Sequence, residues 1–219
     1  MHVVPTQEEV IDLLRRTGAL RDGHFLCPEG FHTNQYLDTA LAMRHYRHAK
    51  TLSVGLSRLL RANPELRAVL PELSIVAATP AGLPVAYGLC EALHARQVYW
   101  AEKPKPAAPM RFRQYLDPAA GEKTVLVDDI LRSGVLLAEA AGLLASHGAV
   151  VVAMAVLVDQ PAPGTRDFEP LPLYRLALLE ETYYAEAAAC ELCRRGIPLD
   201  RLAEQRTAEA REAPVTAGA

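Results

Sequence analysis

The sequence predicts an α/β domain, and three observations carry the prediction. The first is the stretch Thr124-Val125-Leu126-Val127-Asp128-Asp129-Ile130-Leu131-Arg132-Ser133-Gly134. A short apolar run rich in β-branched residues leads into two carboxylates and a small polar turn. A helical pattern then begins with Leu136, Leu137, Ala140, Ala141, Leu143 and Leu144, so the order is buried strand, loop, helix. The second is a repeat of that order. Residues 73–78 are apolar, Thr79-Pro80-Ala81-Gly82 is a turn of small residues, and a helix follows to about residue 94 with Pro84 suited to its first turn. The third is size. A chain of 219 residues, 50% of them hydrophobic, suits one such domain with a sizeable core.

The remaining elements follow in order. Residues 6–17 form an amphipathic helix, with Thr6 and Glu9 at capping-box spacing and Val10, Ile11, Leu13 and Leu14 on the apolar face. Residues 23–38 read as two short strands joined at Pro28-Glu29-Gly30. A helix over 46–62 turns Leu52, Leu56, Leu59 and Leu60 inward, and Asn63-Pro64 stops it. A strand over 97–101 precedes a segment of different character. Residues 103–115 hold four cations, no acid and three prolines, which forbids a long helix and predicts a loop or a ragged hairpin. Beyond the central helix, residues 149–158 are another buried strand, ending at Asp159-Gln160-Pro161. Residues 174–179 are a further strand, residues 185–194 a helix, and Gly196-Ile197-Pro198 closes it. Residues 206–219, rich in Ala and Glu without an apolar stripe, are expected to be a flexible tail.

Several classes of function are excluded at this level. A net charge of −3 gives the molecule no overall basic character, so nucleic acid is not expected as a partner. The longest apolar run, residues 148–158, is too short to span a bilayer, and no leader pattern precedes the first helix, so a cytoplasmic protein is expected. Four cysteines do not make a disulfide framework. Cys190-Glu191-Leu192-Cys193 has metal-ligand or redox spacing, but a metal site needs about two more ligands and Cys27 and Cys90 supply no second CxxC. These two cysteines are therefore read as helical, and buried or idle. No GxGxxG is present to support a dinucleotide-binding reading.

The chemistry concentrates on the central stretch. Ligands of open α/β sheets sit beyond the carboxyl ends of strands, and backbone N–H groups at a helix start favour an anion. The acids would meet hydroxyls or a metal-bound polyol, and the loop after them a phosphate. A sugar phosphate meets both demands. The plainer reading is a strand end and a helix cap, but it does not account for the ordered combination of run, acids, turn and helix. The turn at Thr79, Pro80, Ala81 and Gly82 lets backbone amides approach an anion. An acid-free basic segment in a net acidic chain fits attraction to a polyphosphate, with a solvated loop as the plainer alternative.

These residues resemble the 5-phosphoribosyl-1-pyrophosphate (PRPP) motif of type I phosphoribosyltransferases, and over about residues 24–198 the chain is similar to the orotate branch of that family. The segment from Cys190 to Pro198 resembles the Cys-x-x-Cys-x-x-Gly-x-Pro ending of some of its members. The resemblance implies a mostly parallel sheet flanked by helices with a small N-terminal hood. It implies one domain over residues 1–205, comprising a hood to about 45, a core to about 180 and a C-terminal ending. It implies that Asp128 and Asp129 bind the ribose hydroxyls, that Arg132, Ser133 and Gly134 bind the 5-phosphate, and that Thr79, Pro80, Ala81 and Gly82 bind pyrophosphate. Lys103 and Lys105, then Arg111 and Arg113, would hold the departing pyrophosphate. Phe31, His32, Tyr36 and Gln160 would stand near the base. Mg²⁺ would arrive chelated by PRPP, with no direct protein ligands expected, and a homodimer is implied.

Three departures qualify that match. Two threonines usually precede the loop glycine and a hydroxyl follows two residues after it; here the positions are Arg132, Ser133 and Leu136. A lysine of the hood turn aligns with Pro28, and an arginine after the strand-end Asp with Gln160. Each lost charge-assisted hydrogen bond is worth roughly 1.5–3 kcal/mol, which weakens recognition of an anionic base. The expected function is phosphoribosyl transfer from PRPP to a base, orotate first, with a neutral base or a non-catalytic PRPP or nucleotide sensor as alternatives. An unrelated sugar-phosphate binder would explain the central motif but not the hood or the C-terminal ending.

Overall fold

The computed structural model describes residues 4–27, 30–105, 107–113 and 115–201. Pro28 and the tail expected over 206–219 lie outside them. In chain order the elements are α1 (Gln7–Arg16), β1 (Leu20–Leu26), β2 (His32–Leu37), α2 (Ala40–Met43), α3 (Tyr46–Ala62) and α4 (Pro64–Val69). Then come β3 (Ser74–Ala77), α5 (Leu83–Leu93), β4 (Gln97–Glu102), β5 (Arg111–Phe112) and β6 (Lys123–Leu131). The chain continues with α6 (Val135–Ser146), β7 (Val150–Asp159), β8 (Leu173–Leu178), β9 (Tyr183–Tyr184) and α7 (Glu191–Arg194). They fall into two compact units, a core unit of Met1–Ala19 with Asp38–Glu180 and a hairpin unit of Leu20–Leu37 with Glu181–Ala219.

The core unit is built on a six-stranded sheet in the order β5-β4-β3-β6-β7-β8. All its pairings are parallel except that of β5, which runs antiparallel to β4. Val76, Leu126, Met154 and Val156 pack with Leu137, Ala140 and Leu144 of α6 in one cluster. Ile75, Val125 and Val127 alternate with those strand residues and so line the opposite sheet face, where they too are wholly buried. A parallel sheet covered on both faces needs such continuous apolar strands, which is why these runs are legible in the sequence.

Local chemistry sets the helix starts. Thr6 and Glu9 form the expected capping box of α1, Glu9 N donating to Thr6 Oγ1 at 3.2 Å and Thr6 N to Glu9 Oε2 at 2.8 Å. Asn63-Pro64 does end α3, but it also starts α4: Asn63 Oδ1 accepts from the amides of Glu65 and Leu66, and Pro64 occupies the first helical turn. The basic segment is a ragged hairpin, with Arg111 opposite Glu102 and Phe112 opposite Ala101.

The hairpin unit is a three-stranded antiparallel sheet in the order β1-β2-β9. An isolated parallel bridge joins Phe25 to Asp200 and adds the C-terminal segment to β1. The helix expected over 185–194 is shorter than its alanines suggest, and only Glu191–Arg194 is helical. Tyr183 and Tyr184 pair with β2 as strand, and after them the amides of Ala189 and Cys190 bond back three residues to Glu186 O and Ala187 O, as turns rather than as a helix.

Candidate active site

Strand β6 does not stop at the acids. It stays paired with β7 from Asp128 opposite Val156 to Leu131 opposite Asp159, so both carboxylates are fixed on sheet backbone. Asp128 is buried and Asp129 half-buried. Thr79 Oγ1 donates to Asp128 Oδ1 at 2.6 Å, and the Asp129 amide donates to the same oxygen at 3.0 Å. Thr39, itself buried, donates its hydroxyl to Asp129 Oδ2.

The turn over 79–82 meets the acid pair directly. A Cβ on Gly82 would lie 2.9 Å from Asp128 Oδ1 and 3.1 Å from its Cα, so only glycine permits this approach. Thr79 closes the turn by accepting from the Gly82 amide at 3.2 Å. Pro80 and Ala81 are exposed at its tip. Thus the two loops singled out in the sequence stand side by side at the carboxyl ends of adjacent strands, where ligands of parallel sheets collect.

Burial first, and the Asp129 carboxylate second, push the Asp128 carboxyl up to about 8; the Thr79 hydrogen bond offsets only part of this. Near neutral pH the ligand-free pair therefore retains a proton, and a cation or polyol bound there would favour the fully ionised pair of carboxylates that accepts from it. Their donor chemistry fits Mg²⁺ carried on a polyol phosphate, since that ion takes carboxylate oxygens and keeps ligands of its own.

The loop after β6 is braced from one side. Gly134 caps α6 with φ +73°, and a Cβ there would lie 3.0 Å from the Phe168 ring. The Arg166 amide donates to Ser133 O at 3.0 Å, and the Thr165 hydroxyl donates to Arg132 O. Arg132 Nε donates to Gln160 Oε1 at 3.0 Å, with Gln160 wholly buried. Arg132 and Gln160, the two positions that depart from the resemblance, are therefore partners. Beside them Arg175 Nη1 meets Asp159 Oδ2 at 3.0 Å, while burial raises the Asp159 carboxyl. Leu136 stands exposed in the first turn of α6.

Among the cations of the basic segment, Lys103 is engaged by both carboxylate oxygens of Glu139 on α6, at 2.7 and 2.8 Å. Lys105, Arg111 and Arg113 are exposed. The sequence-predicted base residues of the hairpin unit make local contacts. The Phe31 ring meets Tyr183 edge-on at 6.3 Å, and Tyr36 stacks near Phe25 with the Arg21 guanidinium 5.1 Å from its centroid. His32 is buried, its Nδ1 lying 2.8 Å from His24 Nε2, and burial, then the nearby His24 and Arg201, lower its pKa. Thr39 and Glu139 were not singled out in the sequence. A lone buried threonine and a helix-surface glutamate carry no local signal.

The chain is similar to several known proteins. A family model described as a phosphoribosyl transferase domain matches residues 104–169. The orotate phosphoribosyltransferase of Thermus thermophilus is 30% identical over 194 residues, which is 89% of this chain and 100% of that protein. That of Heliobacterium modesticaldum is 31% identical over 193 residues, 88% of this chain and 95% of that protein. Among solved structures, orotate phosphoribosyltransferase from Aeropyrum pernix superimposes with a TM-score of 0.62 at 22% identity, covering 78% of this chain and 93% of that one.

Proposed function

The chain belongs to the orotate phosphoribosyltransferase family of type I phosphoribosyltransferases, and from that premise we propose that it transfers the phosphoribosyl group of PRPP to a pyrimidine base, orotate first. One observation carries the site assignment: buried Asp128 is shared by the Thr79–Gly82 turn and the strand that feeds the Ser133–Gly134 loop. In this reading Asp128 and Asp129 accept the ribose hydroxyls, with Thr79 and Thr39 orienting their carboxylates. Amides at the start of α6, with Ser133 and Arg132, take the 5-phosphate. The Thr79–Gly82 turn takes the pyrophosphate.

The C1–O bond to pyrophosphate breaks with its electron pair leaving on oxygen, and a ring nitrogen of the base supplies the pair for the new C1–N bond. Positive charge develops at C1 while the leaving group gains negative charge. Loop amides and cations aimed at the pyrophosphate stabilise that separation. Lys105, Arg111 and Arg113 are the exposed cations for this task. Lys103 reaches it on release from Glu139. Mg²⁺ chelated by PRPP would add positive charge at the leaving group, with Asp128 and Asp129 holding the ribose hydroxyls beside it rather than serving as its direct ligands.

The acceptor is the finer question. The relatives' names support orotate. The Arg132–Gln160 hydrogen bond supports a less anionic base, because the position expected to hold a cation holds an amide engaged by the phosphate-loop arginine. For the hairpin unit, base contacts by Phe31 and Tyr36 rest on the resemblance alone. A homodimer and a cytoplasmic location belong to the same proposal; among the described residues no helix is long and apolar enough to cross a membrane. The test is pyrophosphate release from PRPP and Mg²⁺ with orotate, uracil, purines or no base. Release with orotate alone is expected. Release with uracil alone moves the acceptor to a neutral base, and silence with every base refutes the proposed reaction.

A further inference from the structure

The hairpin unit carries a cluster that the phosphoribosyl chemistry does not use. His24 of β1, His32 of β2, and Cys190 and Cys193 of the C-terminal segment each turn one ligand atom to a common point, and those four atoms lie within 4.8 Å of one another. Cys190 Sγ is 3.5 Å from His24 Nε2, while Cys193 Sγ is 3.7 Å from His24 Nε2 and 3.4 Å from His32 Nδ1. A tetrahedral ion with Zn–S near 2.3 Å and Zn–N near 2.05 Å sets sulfur and nitrogen about 3.5 Å apart. All three sulfur–nitrogen distances match that spacing. The two nitrogens, at 2.8 Å, are closer than the roughly 3.3 Å such an ion sets, so binding would part the imidazoles slightly.

We propose that His24, His32, Cys190 and Cys193 form a closed structural zinc site that staples the C-terminal segment to the β1–β2 hairpin. Three features point to an ion rather than to idle side chains. The donor set, two soft sulfurs and two imidazole nitrogens within reach of one ion, is that of structural Zn²⁺. His24 has the outer hydrogen bond that zinc-binding histidines require: its Nδ1 lies 2.8 Å from Ile197 O, so Nδ1–H donates to the carbonyl and Nε2 keeps its lone pair for a metal. The Gly196-Ile197-Pro198 turn that follows the cysteines delivers this carbonyl, with Gly196 N donating to Cys193 O and Ile197 N to Leu192 O. Finally, the ligands are enclosed. His24, His32 and Cys190 are buried and Cys193 half-buried, which leaves no open coordination position for catalysis.

The need for a staple is also visible. Among the described residues of this unit, the buried apolar side chains besides Cys190 are Leu20, Phe25 and Leu37. Three short strands with so small a core are a marginal assembly, and small units of this kind recruit metals or disulfides. This assignment gives His32 a role other than the base contact expected from the resemblance, and it stands whichever base is the acceptor.

The test is metal analysis of the untagged chain, purified without chelator and then reconstituted with Zn²⁺ or Co²⁺. About one zinc per chain is expected, and Co²⁺ should give the visible bands of tetrahedral coordination together with thiolate-to-cobalt charge transfer. Cys193→Ser, at the more exposed ligand, should weaken Co²⁺ binding by more than about tenfold, since even outer-shell changes cost 10–100-fold. Its circular dichroism reports whether it folds; if it does not, the Co²⁺ spectrum of the unaltered chain decides the matter alone. No stoichiometric metal after reconstitution overturns the proposal. So does a cobalt spectrum without thiolate charge transfer, or a Cys190–Cys193 disulfide in freshly isolated, unoxidised protein.

Discussion

In the core unit β6 lies between β3 and β7, and Ile75, Leu126, Leu144 and Met154 are wholly buried around it. Among the described residues of the hairpin unit the buried side chains are three apolar ones, a threonine, two histidines and a cysteine. The first region is held by apolar area, the second by directional contacts among polar groups. That difference decides where each can carry function. A sheet covered on both faces has stability enough to hold two carboxylates side by side at its ligand end. A small hairpin does not, and its polar cluster is better read as part of what holds it together.

The largest expected effect falls on the acid pair. Replacing both, Asp128→Asn with Asp129→Asn, removes two charge-assisted acceptors worth roughly 1.5–3 kcal/mol each, so PRPP affinity should fall at least about a hundredfold. Titration calorimetry with PRPP and Mg²⁺ reads it. Unchanged affinity would end the site assignment. The metal content of the hairpin unit should not change.

Next comes the apolar scaffold. Leu126→Ala empties a wholly buried position and should cost about 2–5 kcal/mol in urea denaturation. Chelation should instead speed amide exchange in β1, β2 and β9 while β6 keeps its protection. If chelator exposes β6 as strongly as β1, the contrast between the two units fails.

The parts legible in the sequence are those whose pieces are neighbours in it. Thr124 to Gly134 contain strand, acids, loop and helix start in one run, so this strand–loop–helix unit is legible without coordinates. Even there one boundary moved, because pairing with β7 carries the strand through the acids to Leu131. What depends on remote convergence was not legible. Thr39 reaches Asp129 across 90 positions, and Cys190 reaches His24 across 166. The CxxC spacing is visible in the sequence, but its neighbours in the fold are histidines eight positions apart in the hairpin rather than other cysteines. Arg132 and Gln160 were each seen as a departure, and only the fold makes them a pair. Over residues 185–189 alanine propensity does not give a helix, and the backbone there forms turns bonded three residues back.

The effect most specific to Asp128 is a dependence of stability on pH. Its carboxyl is raised in the folded chain to about 8, against about 3.9 for an unfolded aspartate. Between those values the folded state holds a proton that the unfolded state has released. The contribution to stability is therefore complete below the unfolded value and declines as pH rises through the folded one. Without PRPP, the unfolding free energy of the core unit should fall with rising pH across this window more steeply in the native chain than in Asp128→Asn, whose amide does not titrate. Urea midpoints at pH 5 and pH 8 for the two proteins measure the difference. Parallel pH dependences would mean that Asp128 ionises freely, and that the shelter given by Thr79 and Gly82 does not set its charge. A slope that vanishes when PRPP and Mg²⁺ are added would tie the same carboxyl to the ligand, because binding that favours the ionised form removes the proton the free protein retains.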